Sequence, residues 1–409
     1  MRCLLVAHDV PWPSLGGGLV RLAQVVEAMG SVSDLDLFVI HDQSRSRIVL
    51  PPTVAVQRSK SVQFPRTSPQ IRWRLEWAAR RGVPLEVVMS RADRAPRLAL
   101  QDWARPPYDA VWFSTANAYE WTGRPDLGPT IVDLDNLEDV KCRLRADLLA
   151  DQLRSSGARG SLRVLLALSQ VRLNGNDWCR FQRSVAAQVE QVVIASELDA
   201  ARSGLSNVTV IPNTYPRPQA PVGNPAANRP PVLLFQGSLE YPPNIDAAQW
   251  LAADIAPLVR AAVPSTEVRL VGRPGGNVSQ LHQPGVLTVV GEVPTMENEL
   301  ARAAVAVVPI RFGSGTRIKI LESFAHRIPV VSTTLGAEGL DVEDGVHLLL
   351  ADGPDEFAAA TLRLLGDPQL RVRLTEAAEA RYLDRYDGRL AHQGVRRLVE
   401  DVAGLCTRS

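Results

Sequence analysis

A proline-rich seam divides this chain into two halves that share one pattern. Six prolines stand among the 18 residues Thr214–Pro231, which offer almost nothing to bury, and such a stretch predicts an interdomain linker. On either side, short runs rich in leucine and β-branched residues alternate with longer helical patterns, which is typical of a parallel sheet covered by helices. Because 409 residues suffice for two such cores, the sequence predicts an α/β protein with two Rossmann-like domains.

The same pattern gives the expected domain limits. We expect an N-terminal domain over residues 1–213, a linker over 214–231, a C-terminal domain over 232–385 and a last helix over 386–409. This last helix is able to pack back on the first domain. The predicted strands are Cys3–Ala7, Leu35–Ile40, Ala110–Phe113, Thr130–Leu134, Val192–Ala195, Val208–Ile211, Val232–Phe235, Glu267–Val271, Leu287–Val290, Val305–Val308, Val330–Ser332 and His347–Leu350.

Composition narrows the function classes. The formal net charge is +1, which argues against a nucleic-acid partner because neutralising phosphates needs a clear basic excess. The four cysteines lack the spacing of a disulfide framework or a zinc site, so we expect a reducing, cytoplasmic compartment. Separately, we expect neither a metal nor a cofactor. The first apolar run is too short for a signal peptide, and no run has the length of a membrane span.

One segment departs from this charge balance. Residues 58–105 carry 11 basic and 4 acidic side chains, interleaved with Trp73, Trp77 and Trp103. Two solvated amphipathic helices would explain the pattern. So would a surface that faces an anionic acceptor or makes peripheral contact with a membrane, where basic residues and interfacial tryptophans act together.

The segment Pro309–Thr333 carries the most specific chemistry. Its order is a strand end, a glycine-containing loop, a helix expected to begin at Gly315–Thr316, and a further strand. Unpaired N–H groups at a helix start bind phosphate, and glycines let the backbone approach a diphosphate closely. Arg317 and Lys319 place positive charge where it opposes the helix dipole, so an anionic ligand is expected to compensate them.

Glu322 stands one helical turn beyond Lys319, on nearly the same face. A carboxylate in this place is able to accept hydrogen bonds from both hydroxyls of a ribose. A plain intrahelical ion pair with Lys319 is the alternative. Together, the loop, the two cations and the carboxylate predict a site for a nucleoside diphosphate.

This segment resembles the donor-binding signature of the group 1 family of retaining GT-B glycosyltransferases, in the branch with a GSGTRxKxLE pattern. The resemblance implies the GT-B fold, in which two Rossmann-like domains face each other across a cleft. It also implies metal-independent transfer of a sugar from a nucleoside diphosphate sugar, with a UDP-sugar favoured, to an unidentified small-molecule, glycan or lipid-linked acceptor. Residues from about 44 to 107 lie outside the resemblance. The segments that carry it are Ser14–Arg21, Val132–Arg145, Ile194–Ala200, Val210–Thr214, Val232–Asn244, Leu270–Gly275, Val289–Ala303 and Pro309–Thr333.

Residue roles follow from the resemblance. The implied donor-binding residues of the C-terminal half are Gly237, Ser238, Gly272, Arg273, Glu292, Val293, Gly313, Ser314, Gly315, Thr316 and Glu322. Of these, Gly237 and Ser238 would approach the diphosphate and Glu322 would hold the ribose, while Gly272–Arg273 and Glu292–Val293 would flank the base. A strand end is the alternative explanation for Gly237, and a surface turn is the alternative for Arg273.

Two departures from the family pattern limit the transfer of roles. Many members carry a glutamate that contacts the transferred sugar where this chain has Ser314, which leaves recognition of the donor sugar open. Many also carry a basic pair after the first strand of this domain, where this chain has Leu239 and Glu240. Arg317 and Lys319 are therefore our candidates for neutralising the leaving diphosphate.

Two further candidates lie in the N-terminal half. The resemblance implies that Gly16, Gly17 and Gly18, which follow the first strand, close over the phosphate. Asp135 follows a predicted strand at the edge where parallel-sheet sites form, so its carboxylate is a catalytic candidate for orienting an acceptor hydroxyl or amine. An N-cap for the helix near Leu137 is the alternative for Asp135.

Four other functions compete with a transferase. A nucleotide-sugar epimerase or a pseudo-glycosyl coupling enzyme would keep the fold and change the reaction. A catalytically silent GT-B subunit that supports a partner transferase would fit Ser314 at the glutamate position. An NAD-dependent oxidoreductase fits poorly, because the first strand lacks a following GxGxxG.

Overall fold

The protein folds into two compact units. The computed structural model describes residues 1–12, 17–41, 50–63, 77, 82–91, 94–155, 161–222 and 230–406. The N-terminal unit comprises Met1–Pro212 and Ala391–Ser409, and the C-terminal unit comprises Asn213–Leu390. Within the described part of the chain, no helix is long and apolar enough to cross a membrane.

The N-terminal unit is built on a parallel sheet whose described strands run in the order β3-β2-β1-β4-β5-β6-β7. Its strands are β1 (Arg2–Ala7), β2 (Asp34–His41), β3 (Arg58–Gln63), β4 (Ala110–Phe113), β5 (Thr130–Asp133), β6 (Gln191–Ile194) and β7 (Val208–Val210). The helices along this part of the chain are α1 (Gly17–Gly30), α2 (Leu85–Arg91), α3 (Ala95–Trp103), α4 (Ala116–Trp121), α5 (Glu138–Ser155), α6 (Ser161–Ala186) and α7 (Glu197–Ser203).

The C-terminal unit repeats this plan, with a parallel sheet in the order β10-β9-β8-β11-β12-β13. Its strands are β8 (Val232–Gln236), β9 (Glu267–Val271), β10 (Leu287–Gly291), β11 (Val305–Val308), β12 (Val330–Ser332) and β13 (Leu349–Leu350). Its helices are α8 (Pro242–Trp250), α9 (Ala256–Ala262), α10 (Glu297–Leu300), α11 (Ile318–Ala325), α12 (Pro354–Gly366) and α13 (Pro368–Arg385). A π-helical stretch, Leu251–Ile255, joins α8 to α9, and a 3₁₀ turn spans Gly276–Leu281.

The last helix, α14 (Gly388–Cys406), ends in the N-terminal unit. Its apolar side chains, among them Val395, Val399 and Val402, are buried in the same cluster as Leu5 of β1 and Leu35 of β2. Burying a valine or leucine side chain contributes about 1.5–3 kcal/mol. This helix therefore completes the core on one face of the N-terminal sheet.

The strand predictions hold except for one missed strand. Every predicted strand overlaps a strand of the structure, but β3 was not predicted, because its sequence RSKSVQ alternates partly exposed with exposed side chains and has no apolar run. The Arg58 guanidinium lies 2.6 Å from the Asp36 carboxylate and 4.6 Å from the Trp103 ring centroid. Arg58 and Trp103, both in the basic segment, thus take part in internal packing. Residues 64–76, 78–81 and 92–93 of that segment, and residues 223–229 of the expected linker, lie outside the described part.

Candidate functional site

The C-terminal sheet has its switch point between β8 and β11. Beyond β8 the chain proceeds outward to β9 and β10, whereas β11, β12 and β13 lie on the other side of β8. In open parallel sheets, ligands bind outside the carboxyl ends of the strands at such a point. The loops that follow β8 and β11 contain Gly237 and the segment 312–317, which we call the glycine loop.

The glycine loop is held in a shape that excludes an early helix start. Gly313 has φ of 129° and Gly315 has φ of 79°, both in the region that favours glycine. Arg317 is the N-cap, with φ of −89° and ψ of 93°, and α11 begins at Ile318. The expected start at Gly315–Thr316 is therefore wrong by two residues, because the loop conformation at these glycines and the extended backbone of Arg317 are incompatible with helix.

The neighbouring helix α8 fixes this loop in place. Arg311, just before the loop, donates two hydrogen bonds to the carboxylate of Asp246, at 2.7 and 3.0 Å, and its guanidinium lies 4.9 Å from the Trp250 ring centroid. A Cβ added at Gly313 would lie 3.3 Å from Pro243. The loop thus approaches the start of α8 closely, and a side chain at Gly313 would disturb that approach.

Lys319 is directed toward the end of β8. Its Nζ donates to Asn244 Oδ1 at 2.8 Å and lies 4.2 Å from the Phe235 ring centroid. A Cβ added at Gly237 would lie 3.2 Å from the same Nζ. Burial lowers the pKa of Lys319 well below its usual value, and the nearby Arg317 lowers it further. An ammonium in this position gains from an anionic ligand.

Arg317 makes different contacts. Its NH1 donates to the carbonyl oxygens of Ser314 and Gly315, at 2.6 and 2.9 Å. A Cβ added at Gly313 would lie 2.9 Å from its NH2. The Arg317 guanidinium therefore stabilises the glycine loop through its carbonyl groups. Lys319 instead extends toward the end of β8 at the switch point.

Glu322 accepts hydrogen bonds from two side chains outside its helix. Tyr215 OH donates to Oε1 at 2.8 Å, and Gln236 Nε2 donates to Oε2 at 2.6 Å. Lys319 donates to Asn244 instead, so the intrahelical ion pair considered from the sequence is not formed. Burial raises the pKa of Glu322, while the bonds from Tyr215 and Gln236 lower it. A carboxylate has about four acceptor positions, which leaves capacity for a diol.

Two hydroxyls of the glycine loop have no partner among the described residues. Ser314 is 3% exposed and Thr316 is 8% exposed, and neither hydroxyl oxygen makes a hydrogen bond. An unsatisfied buried polar group costs about 1–3 kcal/mol. Such groups beside a phosphate-type loop are suited to hydrogen bonding with a ligand.

The other candidates of this half surround the same point. Gly237 and Gly272 have φ of 137° and 134°, and a Cβ at Gly272 would lie 1.9 Å from the Gly237 carbonyl oxygen, so only glycine fits there. Ser238 is exposed at the end of β8. The Arg273 guanidinium lies 3.6 Å from the carboxylate of Glu292, which precedes the half-buried Val293.

The N-terminal sheet has its own switch point, between β1 and β4, and a pocket of about 170 Å³ lies there. Its lining comes from the carboxyl ends of three neighbouring strands and from helices α1, α4, α5 and α6. Lining residues include His8, Gly18, Arg21, Ser114, Asp135 and Gln182.

A buried ion pair forms one wall of this pocket. Arg21 donates to both carboxylate oxygens of Asp133, at 2.8 and 3.0 Å, and its NH1 donates to the Ile211 carbonyl at 3.0 Å. Asp135 Oδ1 lies 3.9 Å from Arg21 Nε. Burial raises the pKa of Asp133 to about 6, although Arg21 lowers it. The ion pair belongs to the interior of the N-terminal unit, since both side chains are less than 10% exposed.

The N-terminal candidates need one correction. Gly16 lies outside the described residues. Gly17 and Gly18, which the resemblance implies to close over the phosphate, are the first residues of α1 and so belong to a helix. Asp135 stands three residues before α5 begins at Glu138 and is therefore not at the cap position. It lines the pocket, half-buried, where Asn136 Nδ2 donates to it at 3.2 Å.

Sequence reasoning missed several of these residues. Arg21 had a readable signal, since it is a lone charge within the apolar run LVRLAQVV, and Gln236 is the polar end of the apolar strand VLLFQ. Tyr215 and Asn244 had none, because a linker tyrosine and an asparagine after two prolines become informative only through their contacts with Glu322 and Lys319.

Comparisons with known proteins agree with this architecture. The family model described as "Glycosyl transferases group 1" matches residues 230–367. A D-inositol 3-phosphate glycosyltransferase from Nocardiopsis dassonvillei is 31% identical over 184 residues, which cover 39% of this chain and 40% of that protein. The chain spans 35% to 40% of the length of the curated relatives it matches.

Solved structures extend the likeness over both units. Sucrose-phosphate synthase from Thermosynechococcus elongatus superposes with a TM-score of 0.69 at 16% identity and covers 100% of both chains. The Anabaena protein HepE, solved in complex with UDP and glucose, superposes with a TM-score of 0.57 at 15% identity and covers 97% of this chain and 99% of that one.

The protein thus has the GT-B fold that the sequence predicts. Its residues 230–367, which contain the glycine loop, Lys319 and Glu322, form a domain of the glycosyl transferases group 1 family.

Proposed function

We propose that this protein is a retaining glycosyltransferase that takes a sugar from a nucleoside diphosphate sugar, with UDP as the favoured nucleotide, without a metal. The observation that carries the proposal is the meeting of the glycine loop, Lys319 and Glu322 at one switch point. A family domain over the same residues supports it. Retention is taken from the resemblance to retaining family members, and the choice of UDP draws on the UDP found in HepE.

In this proposal the donor lies against the C-terminal sheet. Gly237, Gly313 and Gly315 let the backbone approach the diphosphate, and Ser238, Ser314 and Thr316 supply hydroxyls. Glu322 accepts from the ribose. The base lies against the backbone of Gly272–Arg273 and Glu292–Val293.

Lys319 has the main electrostatic role. As the bond between the anomeric carbon and the diphosphate breaks, negative charge grows on the leaving oxygen. A preorganised cation that matches this charge lowers the barrier, and it does so more strongly away from bulk water. In this proposal Lys319, whose Nζ bonds to Asn244, supplies the cation, and Arg317 holds the glycine loop beside it. In the N-terminal unit, Asp135 orients the acceptor hydroxyl.

A thermal-shift screen tests the nucleotide. We expect UDP to raise the melting temperature most, with GDP second, in buffer containing EDTA, and NAD to have no effect. A ligand that binds only the folded state stabilises it by about 2.7 kcal/mol at 100 times its Kd. Loss of the UDP shift in EDTA, or a larger shift with NAD, would contradict the proposal. The anomeric configuration of the product, read by NMR, tests retention.

Glu322→Gln tests the ribose contact. We expect preference for UDP over 2′-deoxy-UDP to fall roughly five- to tenfold, because a hydrogen bond to a charged acceptor is stronger than one to a neutral amide by about 1 kcal/mol or more. Calorimetric titration of both nucleotides measures it. Glu376→Gln, which changes an exposed carboxylate in the same unit, is the matched control. An unchanged preference in Glu322→Gln would remove Glu322 from the ribose site.

A further inference from the structure

Three buried polar atoms around the N-terminal pocket have no partner among the described residues. They are Trp112 Nε1, Asn117 Oδ1 and Gln182 Oε1, and all three residues line the pocket. Trp112 is 0% exposed and Gln182 is 5% exposed. A buried donor or acceptor that makes no hydrogen bond is unfavourable, so one N–H donor and two acceptors beside a single cavity favour a ligand rich in hydroxyl groups.

The charges of the pocket argue against an anionic ligand. Among the lining residues that the structure describes, Arg21 is the only cation, while Asp133, Asp135 and Glu138 are carboxylates. Lys141 pairs with Glu138. Burial lowers the pKa of His8, which keeps its ring neutral near pH 7. The balance of Arg21 and Lys141 against three carboxylates is one negative charge.

The guanidinium of Arg21 already makes hydrogen bonds within the protein. Two of its nitrogens bond to Asp133, and its NH1 bonds to the Ile211 carbonyl. A guanidinium that binds phosphate or carboxylate from a ligand uses this same forked face. Recruiting Arg21 to an anion would leave the buried Asp133 carboxylate without its partner, which is strongly unfavourable.

The pocket also has room for a small polar ligand. Its volume is about 170 Å³, which accommodates a single ring with its substituents.

We propose that this pocket binds one uncharged, polyhydroxylated ring, the terminal monosaccharide unit of the acceptor, and that it discriminates against phosphorylated and carboxylated sugars. The proposal deepens the proposed function and rests on it, because only a transferase needs an acceptor. Hydroxyls of the ring donate to Asn117 Oδ1 and Gln182 Oε1, and one accepts from Trp112 Nε1–H. A site built to bond hydroxyls rejects analogues that lack them by large factors, since its own polar groups are then left unpaired.

The test is saturation-transfer NMR on the full chain in the presence of UDP. The probes are the methyl glycosides of glucose, galactose, mannose and N-acetylglucosamine, each beside the free sugar's 6-phosphate, with the corresponding uronic acids where they exist. We expect at least one neutral glycoside to bind, and its charged counterparts to bind at least tenfold more weakly. Equal or tighter binding of a 6-phosphate overturns the proposal, and so does binding of none of the neutral glycosides.

A matched pair of variants places the ligand in the pocket. Gln182→Leu removes the unpartnered amide, so we expect the neutral glycoside signal to fall at least tenfold while the melting temperature stays level or rises. Gln101→Leu, an exposed glutamine of the same unit, should leave the signal unchanged. A Gln182→Leu protein that still binds the glycoside overturns the proposal.

UDP titration of the same samples separates the two proposals. If Gln182→Leu still binds UDP but loses the glycoside signal, the result supports both the proposed function and the assignment of a neutral acceptor. Absence of UDP binding in the wild type would overturn the proposed function, whereas UDP binding combined with preference for a 6-phosphate would overturn only the assignment of a neutral acceptor.

Discussion

Replacing Asp133 with alanine should lower the free energy of unfolding of the N-terminal unit by about 3–5 kcal/mol, the cost of removing one partner from a buried ion pair. Arg21 would lose both bonds to the carboxylate, while its bond to the Ile211 carbonyl and the more distant Asp135, 3.9 Å away, would remain. Urea denaturation followed by tryptophan fluorescence measures the change.

A double variant distinguishes a lost charge pair from lost volume. Replacing such a pair with apolar residues of similar size is often neutral or stabilising, so Arg21→Met combined with Asp133→Leu should recover most of the loss. Asp102→Ala, at an exposed carboxylate of the same unit, should stay within about 0.5 kcal/mol. Equal losses for Asp133→Ala and Asp102→Ala would show that the Arg21–Asp133 pair contributes nothing to the stability of the unit.

Replacing Lys319 with alanine should weaken UDP binding by about 1.5–3 kcal/mol, or roughly 10- to 150-fold in Kd, which is the range for hydrogen bonds to charged groups. Uridine should bind wild type and variant alike, because it lacks the diphosphate. Calorimetry with both ligands measures the difference. Lys319→Met keeps the packing against Phe235 and should behave as alanine does, while Lys60→Ala in the other unit is the control. Equal losses for UDP and uridine would remove Lys319 from the phosphate site.

The lowered pKa of Lys319 adds a pH dependence to the same prediction. A diphosphate favours the protonated amine, so binding should take up a proton, and UDP affinity should fall as pH rises from about 7 to 9, where a terminal phosphate with pKa near 6 is already ionised. Lys319→Arg should flatten this slope, because a guanidinium stays charged. Calorimetry in buffers of different ionisation enthalpy counts the protons, and an equal slope in Lys319→Arg would assign the titration to another group.

The sequence by itself predicted twelve of the thirteen described strands and two Rossmann-like domains, and the family resemblance added the GT-B fold. Strand cores such as VLLFQ and AVWF are short apolar runs, and their periodicity with the following helices is a local property of the chain. The glycine loop was likewise visible, because Gly313, Gly315, Lys319 and Glu322 fall within ten residues. The edge strand β3 was missed because an edge strand need not bury a face, so its sequence carries no apolar alternation.

Only the tertiary structure decided which side chains meet. Tyr215 reaches Glu322 across 107 positions and Lys319 reaches Asn244 across 75, while Arg21 and Asp133 are 112 apart. Such contacts depend on the order of strands in the sheet, and the strand-forming pattern does not encode that order. The same holds for the pocket at β1 and β4, whose polar atoms come from helices and strands that are distant along the chain. Local periodicity determines where each helix and strand forms, whereas the packing of these elements around the sheet determines which side chains come into contact.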